Sequence, residues 1–125
     1  MFAVEEIPPG IVRLEFAGGM SAADEAAYLD TLDRLSTRAM PFVVVALMDG
    51  RNPLSPDGRK RQALWFKRNR EQLGAYCRGL VRVPSGSAHD AGGDKLAAAL
   101  PFPLAHAGSE AAAMRIARRL LAGGR

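Results

Sequence analysis

The sequence predicts a single α/β domain, a mostly parallel sheet opened by an N-terminal β-hairpin with helices packed on it, and three observations point there. Short runs of β-branched and large apolar residues alternate along the chain with stretches whose apolar residues recur at helical spacing. The most apolar run, Phe42 to Met48, is apolar on both alternating faces, as a central strand covered on two sides should be. The 125 residues suit one core, and no internal repeat or linker divides them, so residues 1–125 read as one domain.

Phe2 to Ile7 and Ile11 to Ala17 flank Pro8-Pro9-Gly10, turn chemistry that predicts a β-hairpin. Ser21 followed by Asp24 is a capping-box variant opening a first helix, about Ala22 to Thr37, with Tyr28, Leu32 and Leu35 on its inner side. After the Phe42–Met48 strand, Asp49 to Gly58 is a loop. Ser55 caps the next helix, with Pro56 at its first position, where the missing N–H costs nothing. That helix should run to about Leu73 on a stripe of Gln62, Trp65, Phe66, Asn69 and Leu73, with Gly74 as its stop. Leu80 to Val83 is the following strand. Pro84 to Gly93 reads as a loop leading into a short helix, Asp94 to Ala99. Phe102, Leu104 and His106 make a last strand, and Pro101 and Pro103, which cannot donate to a ladder, put it at the sheet's edge. Ser109 caps a closing helix with Ala113, Ile116, Ala117, Leu120 and Leu121 inward, and Gly123 to Arg125 is a frayed tail. The order is β-β-α-β-α-β-α-β-α, which calls for right-handed crossovers.

Composition narrows the function classes. The N-terminal residues carry Glu5 and Glu6 and do not read as a secretory signal, and the longest apolar run is far short of the roughly 20 residues that span a bilayer. A cytoplasmic location is the expectation. Cys77 is the one cysteine, so neither an internal disulfide nor a cysteine-cluster zinc site is available. The formal net charge of +4 is unevenly spread: acids dominate the first part of the chain, while Arg51, Arg59, Lys60, Arg61, Lys67, Arg68 and Arg70 crowd the middle. Such asymmetry either steers an acidic partner or simply solvates two faces.

No catalytic constellation emerges. His89, Asp90 and Asp94 lie in a glycine-rich stretch without metal-ligand spacing, and neither His89 nor His106 can be set beside Ser55 or Cys77. Gly92-Gly93-Asp94-Lys95 lacks the spaced glycines and the Lys-Ser/Thr ending of a phosphate loop. The expectation is therefore no enzyme, no metal and no cofactor.

The element order and its residues resemble the STAS fold, in particular its SpoIIAA-like branch. The resemblance covers nearly the whole chain: the opening hairpin, the buried Val43–Asp49 strand, the Trp65-containing helix, Gly79-Leu80-Val81-Arg82-Val83, and Phe102-Pro103-Leu104 before an alanine-rich closing helix. It implies a binding and switching module. Antagonist members carry a phosphorylated serine at the start of the second helix within Asp-Ser-Ser/Thr-Gly. Here that place reads Leu54-Ser55-Pro56-Asp57-Gly58, a departure. Matching the glycine puts Asp57 at the acceptor position; matching the serine makes Ser55 the phosphorylation candidate, near free helical N–H groups and Arg59. Plain capping by Ser55 is the alternative.

Three functional expectations follow, in order. The first is a module, expected as a homodimer, that engages a protein partner through residues 49–70, with Asp57, Arg59, Arg61, Lys67 and Arg68 as contact residues. The second, implied by the likeness of other SpoIIAA-like proteins to lipid carriers, is a holder of an apolar, lipid-like small molecule among Met48, Trp65, Phe66, Tyr76 and Phe102; the competing reading of those residues is plain core. The third and weakest is nucleic-acid binding by the basic helix, because a helix with one apolar stripe should bury Trp65 rather than offer it for stacking.

Overall fold

The computed structural model describes residues 1–18, 20–48, 54–84 and 100–123, and the chain opens with the expected hairpin. Strand β1 (Phe2–Ile7) pairs antiparallel with β2 (Ile11–Phe16), with Val4 opposite Leu14 and Ile7 opposite Ile11. Gly10, in the turn, is fixed by space. A β-carbon there would lie 2.7 Å from the Pro41 carbonyl oxygen, so only glycine lets the hairpin pass the start of the next strand.

Helix α1 (Ala22–Leu35) begins in a complete capping box. The Ser21 hydroxyl accepts from the Asp24 amide at 3.1 Å, and the Asp24 carboxylate accepts from the Ser21 amide at 3.0 Å. The helix ends two residues before the expected Thr37, because the hydroxyls of Ser36 and Thr37 turn back onto the carbonyls of Asp33 and Arg34. Strand β3 (Phe42–Met48) follows as expected, parallel to β2.

The single helix expected from Pro56 to about Leu73 is instead two: α2 (Pro56–Arg68) and α3 (Arg70–Tyr76). Asn69 separates them with φ −107° and ψ 16°, and both its backbone N–H and its side-chain amide donate to the Trp65 carbonyl, at 3.0 and 2.9 Å. Local side-chain bonding of this kind competes with helix continuation. Gly74 is not the stop. It lies inside α3, which runs to Tyr76 and passes directly into β4 (Cys77–Pro84), longer at both ends than the Leu80–Val83 expected. Pairing of Cys77 with Phe42 on β3 ends the helix there, so the sheet rather than the glycine sets the boundary. The amide of Gln72 on α3 also donates to the carbonyls of Leu35 and Arg38, satisfying acceptors at the end of α1 and just past it.

The short helix expected over Asp94–Ala99 lies outside the described residues. Strand β5 (Leu104–His106) stands at the sheet edge beside β4, as its prolines required. Phe102 precedes the strand instead of belonging to it, because Pro103 offers no N–H; its carbonyl accepts from Leu80 at 2.9 Å. Helix α4 (Glu110–Gly123) closes the fold, with the Ser109 hydroxyl accepting from the Ala112 amide at 3.1 Å. Gly123, expected in a frayed tail, is its last residue.

The sheet order is β1-β2-β3-β4-β5, with only the β1–β2 pair antiparallel. Successive parallel crossovers of one hand that always step the same way place their helices on the same face. Thus α1, α2 and α3 cover one face over Val12, Leu14, Phe16, Phe42 and Ala46, and α4 takes the other over Ile11, Val43, Val45 and Val81. One helix cannot cover five strands. Beyond Ile7 and Ile11, the β1–β2 part of the α4 face is accordingly polar: Arg13 pairs with Glu110 on α4 at 2.8 Å and with Glu15 at 3.2 Å, and Glu5 is its cross-strand neighbour.

Candidate functional site

The beginning of α2 is held by a contact between helices. Ser55 is the N-cap, its hydroxyl accepting from the Gly58 amide at 3.0 Å. In α1 the third helical residue supplies the carboxylate of the capping box; in α2 that position is Gly58, which has no side chain. Glu25 of α1 supplies it instead. Its carboxylate accepts from the Ser55 amide at 2.7 Å and from the Ser55 hydroxyl at 3.0 Å. A β-carbon on Gly58 would overlap that carboxylate, so the glycine makes room for it. A negative group thus already sits at the positive end of α2.

Along α2, Gly58 and Trp65 are buried and Gln62 and Phe66 half-buried, which defines the inward side. Outward stand Asp57, Lys60, Arg61, Leu64, Lys67 and Arg68, all exposed, while Arg59 is exposed at the flank. Asp57 pairs with Arg61 at 2.9 Å. Lys60, Lys67 and Arg68 make no ion pair among the described residues, whereas Glu6, Glu15, Asp24, Asp30 and Glu110 all do. Leu64 is 55% exposed in the middle of this face. Its neighbours three and four residues away, Lys60, Arg61, Lys67 and Arg68, are all cationic.

Met48, Trp65, Phe66, Tyr76 and Phe102 come together in the cluster beneath α1–α3; Trp65 and Phe102 are buried, the other three partly so. Trp65 faces inward and meets Phe66 edge-on, ring centres 5.1 Å apart. Its indole Nε1 is buried and without a hydrogen-bond partner among the described residues. Tyr28 completes an aromatic group with Phe2 and Phe16 and donates its hydroxyl to Gln62 of α2. Burial holds its phenol above the ordinary tyrosine range, with Arg82 opposing the shift.

Other chemistry is dispersed. Cys77 is buried at the start of β4, and burial pushes its thiol up to about 12, far from a reactive thiolate. His106 is exposed on the edge strand. No cluster of three metal-ligating side chains occurs among the described residues, and no helix there is long and apolar enough to cross a membrane. Residues 49–53 of the expected partner loop, and His89, Asp90 and Asp94, lie outside the described residues.

The sequence pointed to Ser55 and the basic residues and to Gly58 as the motif's glycine, but not to Glu25 beside them or to Leu64 among the cations. The cationic ring around Leu64 was readable from spacing alone. The Glu25 contact was not, since it joins residues 30 apart in sequence.

No family model matches the chain, and neither does any curated protein sequence. Among solved structures the chain is similar to an uncharacterized protein of the DUF3478 family, with a SpoIIAA-like fold, from Shewanella loihica PV-4. The two share 11% identity at a TM-score of 0.68, over 94% of this chain and 92% of that one. At that identity the likeness speaks to fold: the chain is an α/β domain with a SpoIIAA-like fold.

Proposed function

We propose that this domain works by binding a protein partner, as a SpoIIAA-like interaction module without catalytic chemistry, and that the outward face of α2 is the contact surface. The observation that carries the reading is Leu64, a large apolar side chain 55% exposed among four cations, three of which, Lys60, Lys67 and Arg68, make no ion pair among the described residues. An apolar anchor inside a charged rim is how interface hot spots are built. Asp57, Arg59, Arg61, Lys67 and Arg68 supply that rim and the orientation of the partner. On this reading Ser55 is a helix cap. A phosphate there would set negative charge against the Glu25 carboxylate and remove the hydroxyl donor that holds it.

Affinity purification from the native cell tests the surface. A partner retained by the wild-type chain and lost with Arg61→Glu/Arg68→Glu is the expected result; equal retention by both contradicts it.

A second reading has one observation in its favour. The buried indole N–H of Trp65, without a partner among the described residues, stands in the aromatic cluster, and such a group calls for an acceptor. A lipid-like molecule carrying a carbonyl or carboxyl group would provide it. Native mass spectrometry of the purified chain decides this reading: bound apolar mass supports it, and repeatedly ligand-free protein excludes it.

A further inference from the structure

We propose that the partner segment meeting α2 is an acidic amphipathic helix whose apolar stripe seats on Leu64, an inference that rests on the interaction-module reading above. The argument begins with spacing. Lys60, Arg61, Lys67 and Arg68 lie one turn before and one turn after Leu64, so the cations form a closed ring about a single apolar side chain. A second helix with an apolar stripe and carboxylates one turn to either side repeats the same 3-and-4 period. Laid along α2, it places an apolar residue on Leu64 and acids on the ring.

Charge complementarity excludes a basic segment, since four cations around the contact would meet like charge. The choice of peptide over a phosphate-rich surface follows from the two residues that such a surface cannot use. Neither a nucleic-acid backbone nor a lipid headgroup layer offers an apolar side chain to cover Leu64. Asp57, two turns before Leu64 on the same face and paired with Arg61, would set a carboxylate against the phosphates of either of them. One leucine is also too little apolar surface to anchor a domain in a bilayer.

The test uses the full chain and three 18-residue helical peptides read by fluorescence anisotropy: one glutamate-rich with a leucine stripe, one glutamate-rich with an alanine stripe, and one lysine-rich with a leucine stripe. Phosphatidylserine vesicles and single-stranded poly(U) serve as rival probes. The first peptide should bind best, weakening about tenfold when its stripe is alanine and about tenfold with Leu64→Ser. Lys60→Glu/Lys67→Glu should weaken it further. Because these side chains are exposed, circular dichroism of each variant should match the wild type. Equal affinity for the two acidic peptides, indifference to Leu64→Ser, tighter binding of vesicles or poly(U), or no peptide binding at all overturns the inference. The co-purification experiment is independent of these probes: a partner that requires Arg61 and Arg68 while the acidic peptides fail sinks this inference alone, and loss of both results sinks the module reading too.

Discussion

Asp24 and Glu25 are adjacent in sequence and cap different helices. Asp24 closes the box of its own helix with Ser21, and Glu25 reaches across to Ser55 over the bare backbone of Gly58. This arrangement predicts a coupling. With Glu25→Ala in place, Gly58→Ala should stabilise the chain by about 0.5–1 kcal/mol, the ordinary helix-propensity gain. With Glu25 present the same change displaces the carboxylate, and the gain should vanish or reverse; chemical denaturation of the four chains gives the coupling directly. Cys77 makes a second prediction at this scale. Its folded thiol titrates near 12, above the unfolded value of about 8.5, so the folded state holds the proton more tightly. The associated stability is full below about pH 8.5 and is lost as pH rises toward the folded value. The urea midpoint should therefore fall from about pH 8.5 to 10, and Cys77→Ala should flatten that fall; an unchanged slope would show that the thiol is not its source. Capping serines at positions 21 and 55 were legible because their partners lie within one turn. Glu25 was not, because its role depends on how two helices pack.

The elements show where local signals suffice and where they are overruled. The capping box, Pro56 at the first helical position and the prolines beside β5 act over a few residues, and the structure follows them. Asn69 and Gly74 were misread for one reason. Both boundaries depend on competition between the helix and another bonding scheme: the Asn69 amide on the Trp65 carbonyl at one, sheet pairing of Cys77 with Phe42 at the other. Gly10 carries the element-scale prediction. Its missing β-carbon would meet backbone at Pro41, which no rotamer change can relieve, and its carbonyl accepts from Val43 at 2.9 Å. Gly10→Ala should destabilise the chain by about 1–3 kcal/mol, read as a lowered denaturation midpoint. A neutral Gly10→Ala would mean that the hairpin and the start of β3 are not so closely locked.

Across the whole molecule, the consecutive strand order decides what the surfaces can do. It collects α1–α3 on one face, leaves the other to α4, and sets the outward side of α2 well apart from α4. The charge asymmetry of the sequence survives folding in a particular way. Most acids named above are drawn into ion pairs or caps, while Lys60, Lys67 and Arg68, around Leu64, make no ion pair among the described residues. The basic helix was visible in the sequence, and Leu64 falls outside its inward stripe; how far that leucine stands exposed among the cations became plain only with the fold. Photo-crosslinking in the native cell tests the resulting claim most directly, with the crosslinking residue placed at Leu64 on α2 or at Arg118, exposed on α4 across the sheet. The account predicts a discrete protein adduct from position 64 that disappears with Arg61→Glu/Arg68→Glu, and none from position 118. Adducts from 118 alone, or equal adducts from both positions that survive the charge reversal, would contradict it.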